Sequence, residues 1–254
     1  MELQDIKLLE EKAYQFLSEE NFSEAFNLFN KIAEIYKEKG EHKQAALCFA
    51  SSASCWNKKI GEKVCEASAI AYKKAALEAE IAKDFEYASL LYKMAAINYE
   101  RDMDLINFSE CFYKAKDNYR KFLNFYLINF ILKMKNVNVR DFFKNIFLWF
   151  TFTFSYLIWG YGERPIRTLI WALVVILLSS ILYSLGFLIQ NSNIIIKPSL
   201  SQALYFSTIT FTTVGYGDFT PVGINKFIAV LEALSGLIIV PIFIIGFSRK
   251  YLRF

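Results

Sequence analysis

Two stretches carry almost no charge and are longer than the core helices of most soluble domains, and they constrain this chain more than anything else in it. Thr168 to Ile189 holds no charged residue. As a helix rising about 1.5 Å per residue it spans roughly 30 Å, the thickness of a bilayer core. Phe227 to Phe247 is of similar length, with Glu232 as its single charge. Both read as membrane-spanning helices. Composition agrees, because the mean hydropathy of the chain is +0.26 and the charges are unevenly placed. Residues 1 to 140 hold 21 of the 25 acids and 21 of the 29 bases, whereas residues 141 to 254 hold 4 and 8. The first region is formally neutral and offers no net positive field for nucleic acid.

Basic residues set the expected orientation. Lys144, Arg164, Arg167, Arg249, Lys250 and Arg253 flank the spans on one side, against Lys197 and Lys226 on the other, so the first side is cytosolic. The predicted product is a multi-pass protein of the cell membrane with both termini in the cytoplasm. Met1-Glu2-Leu3-Gln4-Asp5 lacks a basic segment followed by an apolar core, so no signal peptide is expected. A third apolar stretch, Asn145 to Trp159, has only 15 residues, about 22 Å as a helix, and reads as an interfacial helix. The four cysteines, Cys48, Cys55, Cys65 and Cys111, form no CxxC pair, and His42 is the only histidine. Reduced cytosolic thiols are expected rather than a metal site. No nucleophile with a partnering base and no phosphate loop occurs, which argues against an enzyme.

Before Gly160 the chain has no proline and only Gly40 and Gly61 as glycines, so residues 1 to 137 read as helical throughout. Ala25, Ala46, Ala67, Ala88 and Ser109 recur at an interval of 21, with Phe29, Phe49, Tyr72, Tyr92 and Tyr113 a few residues behind them. Small residues beside aromatics let antiparallel helices approach and interlock, the pattern of an α-solenoid of helical hairpins. The run from Tyr92 to Glu100 followed by Phe112-Tyr113-Lys114-Ala115 resembles tetratricopeptide repeats of the soluble NSF-attachment protein kind; a plain helical bundle is the alternative. The resemblance implies a cytosolic module (1–137) with a surface for a peptide, protein or small ligand, joined by an interfacial helix and linker (138–166) to the membrane region (167–254).

Between the spans, Ser199 and Gln202 form a capping-box pattern that starts a short helix running to about Thr210. The string Thr212-Thr213-Val214-Gly215-Tyr216-Gly217-Asp218 follows directly and resembles the potassium-channel signature. The resemblance implies an all-α membrane protein: a two-span, homotetrameric pore with a re-entrant pore helix and a selectivity filter at Thr213, Val214, Gly215, Tyr216 and Gly217. Potassium is then the permeant ion, held at Thr213 to Tyr216, and no cofactor is called for. A dehydrated potassium ion needs its water shell replaced by inward carbonyls. An ordinary strand alternates its carbonyls, so the loop needs conformations that Gly215 and Gly217 adopt freely. Val214 and Tyr216 are expected to turn outward and pack on the pore helix, and Asp218 to anchor the outer end of the loop. A second Gly-Tyr-Gly, at 160–162, lacks the preceding threonine and valine; with Glu163-Arg164-Pro165 it resembles the turn before the outer helix of prokaryotic two-span channels.

Three residues of the second span stand apart. Glu232 is costly in a membrane, by about 2.5–3.5 kcal/mol on insertion scales, and reads either as a brace behind the filter or as an interfacial acid. Gly236 reads as a gating hinge, with Pro241 removing the amide bond to Leu237, or as a close helix contact. Two other functions remain open at this point, a membrane-tethered repeat adaptor and a nonselective cation channel.

Overall fold

The computed structural model describes residues 3–57, 64–133, 139–190 and 194–252. Its internal contacts divide the chain into two units, Met1–Phe154 and Ser155–Phe254, and the chain passes from one to the other within a helix. The boundary expected at 137 lies outside the described residues.

The first unit contains α1 (Leu3–Ser18), α2 (Phe22–Glu38), α3 (His42–Asn57), α4 (Val64–Ile81), α5 (Phe85–Arg101) and α6 (Leu105–Lys133), each packed against the next in chain order. The interval of 21 falls where the helices meet. Ala25, Ala46 and Ala88 are buried beside Phe29, Phe49, Tyr72 and Tyr92, while Ala67, Ser109 and Tyr113 are half-buried. Repeated turn chemistry makes the helical hairpins. Glu20, Gly40, Lys83 and Met103 take left-handed φ of 59°, 76°, 60° and 60°. After each, the next amide reaches back 2.9 Å to a carbonyl of the preceding helix, at Phe16, Tyr36, Ala79 and Tyr99. This is the Schellman stop. Asn21, Asp84 and Asp104 then cap the following helices by accepting the amides of Glu24, Tyr87 and Asn107. Burial opposes the Asp104 charge, but the Asn107 side chain, the amides of Asn107 and Ile106, and Lys73 hold its carboxyl below the usual carboxylate range. All four cysteines are free, and burial pushes the thiols of Cys48 and Cys111 up to about 12 and about 11.

The connecting helix α7 (Val139–Trp159) has 21 residues, so the 15-residue apolar stretch is part of a longer helix. Length is therefore not what disqualifies it as a span. Its apolar residues are diluted by Arg140, Asp141, Lys144, Asn145, Thr151, Thr153 and Ser155, and it is not among the helices apolar enough to cross a bilayer.

Those helices are α8 (Pro165–Leu185) and α10 (Ile224–Tyr251). Only 22% and 17% of their most apolar stretches are buried within the chain, unlike the core helices of a soluble domain. Their wide apolar surface suits lipid or further copies of the chain. They run antiparallel, with Pro165 beside Gly246 and Gly186 against Asn225 at opposite ends. The first span ends sooner than the hydropathy indicates. A Cβ at Gly186 would lie 2.5 Å from the Asn225 amide, and Asn225 Nδ2 donates to the Phe187 carbonyl at 3.1 Å, so the chain leaves the helix here. Ile189 consequently lies in a strand. The short strands β1 (Leu188–Gln190), β2 (Ile194–Ile196) and β3 (Phe219–Pro221) form an antiparallel sheet in the order β2-β1-β3, which the sequence reading lacks. Pro221 is compatible with β3 because β3 is an edge. Between the strands lies α9 (Leu200–Phe211). The fold is otherwise helical among the described residues.

Candidate functional site

The geometry of the loop after α9 starts with the helix that delivers it. Ser199 and Gln202 form the expected capping box, which fixes where α9 begins and hence where it ends. At the other end, the Thr213 amide donates to the Thr210 carbonyl at 3.0 Å and the Val214 amide to the Ile209 carbonyl at 2.9 Å. These bonds define a Schellman stop with Thr213 in the left-handed position. Threonine at φ 59° is a strained choice there, of order 1–3 kcal/mol, and such strain gathers at functional sites.

Positive φ then recurs at every second residue, 59° at Thr213, 54° at Gly215 and 81° at Gly217, while Val214 and Tyr216 do not share it. In a strand, successive peptide planes point opposite ways. Alternating the sign of φ cancels that reversal and lets successive carbonyls face one side. At Gly215 and Gly217 a Cβ would meet nothing within 4 Å, so backbone conformation and not space calls for glycine at these two positions. The sequence reading had the two glycines and missed Thr213, because only the stop of α9 reveals its conformation.

Asp218 lies close to Tyr205 of the helix before the loop, with its Oδ1 buried and not hydrogen-bonded among the described residues. Immediately beyond it, β3 holds the chain in the small sheet, with Gln190 opposite Phe219 and Leu188 opposite Pro221. Val214 and Tyr216, expected to turn outward and pack on the pore helix, are 52% and 72% exposed within the single chain. Beyond Gly215 the loop has left α9, and its own chain supplies no surface to cover them.

Behind the loop is a buried polar knot. Glu232 on α10 is 2% exposed. It accepts the Tyr183 hydroxyl of α8 at 2.7 Å and the Ser207 hydroxyl of α9. Ser207 also reaches the Ile176 carbonyl at 2.8 Å. One carboxyl thus joins three helices, which supports the bracing reading of Glu232 over an interfacial acid. Sequence reasoning passed over its partners Tyr183 and Ser207, which lie 49 and 25 residues away in the chain.

Gly236 answers the hinge question differently. A Cβ there would lie 1.9 Å from the Phe211 carbonyl oxygen and 2.9 Å from its carbon. The residue is a close contact between α10 and the last turn of α9, and α10 runs as one continuous helix through Gly236 and Pro241. Gly236 is thus a close packing contact in this structure, and the helix has no break at the bend expected at Gly236 and Pro241.

Residues 170–252 match the family model described as ion channel. This is about one third of the chain, and it takes in most of α8, all of α9 and the loop, and α10, so the part with the two membrane-capable helices is similar to ion channels. Protein LctB of Geobacillus stearothermophilus is 56% identical over 39 residues, 15% of this chain and 29% of that protein. Protein LctB of Bacillus caldotenax is 51% identical over the same length and shares. The chain thus spans under a third of these curated relatives. No solved structure matches it.

Proposed function

We propose that the chain is one subunit of a homotetrameric, potassium-selective channel of the cell membrane. The observation that carries this reading is the alternation of left-handed residues at Thr213, Gly215 and Gly217 within Thr-Val-Gly-Tyr-Gly, between two membrane-capable helices. Four such loops around one axis supply rings of carbonyls at Thr213, Val214, Gly215 and Tyr216, plus the Thr213 hydroxyls, in place of the ion's water. The C-terminal dipole of α9 adds negative potential toward the permeating cation. The exposed Val214 and Tyr216 side chains become contacts with the neighbouring copies. Asp218 and the Glu232 knot hold the loop from its two ends.

Both termini face the cytosol in this reading, from the basic flanks of the spans. The helices of the first unit form a tetratricopeptide-like module that binds a peptide, protein or small ligand and acts on gating. Its support is the chain-order packing and the repeated capped turns. Bi-ionic recording in planar bilayers, with potassium on one side and sodium on the other, tests the channel reading. The expected reversal potential lies far toward potassium equilibrium; a value near zero sinks the proposal.

A further inference from the structure

The second Gly-Tyr-Gly has no part in the filter, yet it sits in a heavily organised corner of the second unit. The last carbonyls of α7 have no partners inside their own helix, and side chains from the first turns of α8 take them. Arg167 Nη1 donates to the Tyr156 carbonyl at 3.0 Å, Trp171 Nε1 to Leu157 at 2.9 Å, and Thr168 Oγ1 to Ile158 at 3.3 Å. The end of α7 and the start of α8 are therefore one body. The turn joining them holds three consecutive left-handed residues, Gly160, Tyr161 and Gly162, at φ of 55°, 61° and 88°. Tyr161 has a Cβ and still adopts this conformation, with its ring buried beside Tyr156 at 6.1 Å. Surroundings that impose such a conformation point to a positional role for the turn.

What the turn positions is the end of α10. Gly246 packs where a Cβ would lie 3.5 Å from Pro165 and 3.8 Å from the Gly162 carbonyl. One turn further on, Arg249 Nη2 lies 3.9 Å from the carboxylate of Glu163, an acid only 2% exposed. Burying an acid is costly unless it is paired, and a cation in the last turn of α10 also suits the helix dipole. This corner lies at the end of α10 opposite Asn225 and Gly186, away from the filter loop.

We infer that Glu163 and Arg249 are a positioning pair that seats the filter-remote end of the pore-lining helix on the α7–α8 turn, so that the turn sets how readily that end moves during gating. The inference rests on the channel reading proposed above, with α10 taken as the helix that lines the pore. It gives the second Gly-Tyr-Gly a purpose of its own, as the socket for the helix end.

Single-channel recording of the full chain tests it. Glu163→Gln and Arg249→Gln should each shift open probability at least tenfold and in the same direction, leaving the potassium-to-sodium permeability ratio unchanged. The reversed pair, Glu163→Arg with Arg249→Glu, should return open probability to within threefold of the parent. Arg249→Gln keeps the buried acid and alters only the half-exposed partner, so it carries the test if the variants at position 163 fail to assemble. Open probability within twofold of the parent in an assembled Arg249→Gln tetramer overturns the pair, and so does a reversed pair that assembles without recovery. A parent chain that passes no potassium-selective current overturns the channel reading instead, which keeps the two failures distinct.

Discussion

Replacing Gly236 with alanine adds one methyl group where α10 meets the last turn of α9 with no room for it. The new carbon would lie 1.9 Å from the Phe211 carbonyl oxygen, whereas a non-bonded carbon–oxygen contact needs about 3.3 Å. Closing that gap separates α10 from the end of α9 by roughly 1 Å or more. At an exposed helix position the same substitution would stabilise by about 0.5–1 kcal/mol, since alanine loses less backbone entropy than glycine. Here overpacking, about 1–3 kcal/mol in a tight core, outweighs that gain. The obstacle is backbone, which has no other rotamer to adopt. The displaced element is the last turn of α9, whose Ile209 and Thr210 carbonyls hold the amides of Val214 and Thr213. Strain therefore falls on the filter itself, and at about 1.4 kcal/mol per factor of ten the conducting population should fall roughly 5- to 150-fold. A hinge glycine would behave otherwise, changing the opening equilibrium and leaving conductance and selectivity intact. Recordings of Gly236→Ala, normalised to tetramer yield, decide between them. Wild-type unitary conductance and selectivity with altered opening alone would refute the packing argument and restore the hinge.

The knot gives a graded series: Glu232→Gln keeps an acceptor for Tyr183 and a donor for Ser207 and should conduct nearly as the parent. Glu232→Leu strands the buried Tyr183 hydroxyl, at about 1–3 kcal/mol, while Ser207 keeps the Ile176 carbonyl, and should lower the yield and thermal stability of the tetramer, read by size exclusion and a melting curve. In the first unit, Asp104→Ala removes a cap and should cost about 1 kcal/mol, measured by denaturant unfolding. Because the Asp104 carboxyl is held below its usual range when folded, its contribution is full above the unfolded value near 3.9 and is lost as pH falls through the lower folded value. The Asp104→Ala difference should therefore shrink on acidification below about pH 4. Cys48 and Cys111, buried and with raised thiol pKa, should resist a maleimide at neutral pH until the protein is denatured; rapid labelling of the native chain would contradict that packing.

How much of this was legible beforehand depends on how local each feature is. The capping box of α9 was readable because both of its partners, Ser199 and Gln202, lie within one turn, and the repeat of 21 was readable because small residues and aromatics return at the same helical positions. Left-handed stops at Glu20, Lys83 and Met103 were not, since these residues carry no sign of the conformation that a Schellman turn imposes on them; Gly40 alone announced itself. Thr213 belongs with that group. The two spans were found by hydropathy, but hydropathy counts apolar residues and not where a helix stops, so it carried the first span through Ile189, past the Gly186–Asn225 contact that ends it. The small sheet was invisible for a related reason: Ile194-Ile195-Ile196 and Phe219-Thr220-Pro221 are too short to show a period, and the central residue of β1, Ile189, pairs with residues 6 and 31 positions away, Ile195 and Thr220.

The site residues divide along the same line. Gly236 and Glu232 drew attention because each is an exception within an apolar helix, yet an exception says only that something faces it. What faces Gly236 is the Phe211 carbonyl, 25 positions earlier, and what faces Glu232 is a hydroxyl on each of two other helices. The sequence reading leaves a hinge and a close contact open for Gly236, and a brace and an interfacial acid for Glu232, and in each case the tertiary partner adds an observation that residue type alone does not carry. Glu163 and Arg249 failed to stand out because charges near the ends of spans are common and serve topology. Burial of Glu163 separates it from that background. An acid that only marked the membrane boundary would remain in water, whereas one folded beneath the end of α10 has a mechanical neighbour, and the arginine one turn past Gly246 is placed to hold it there.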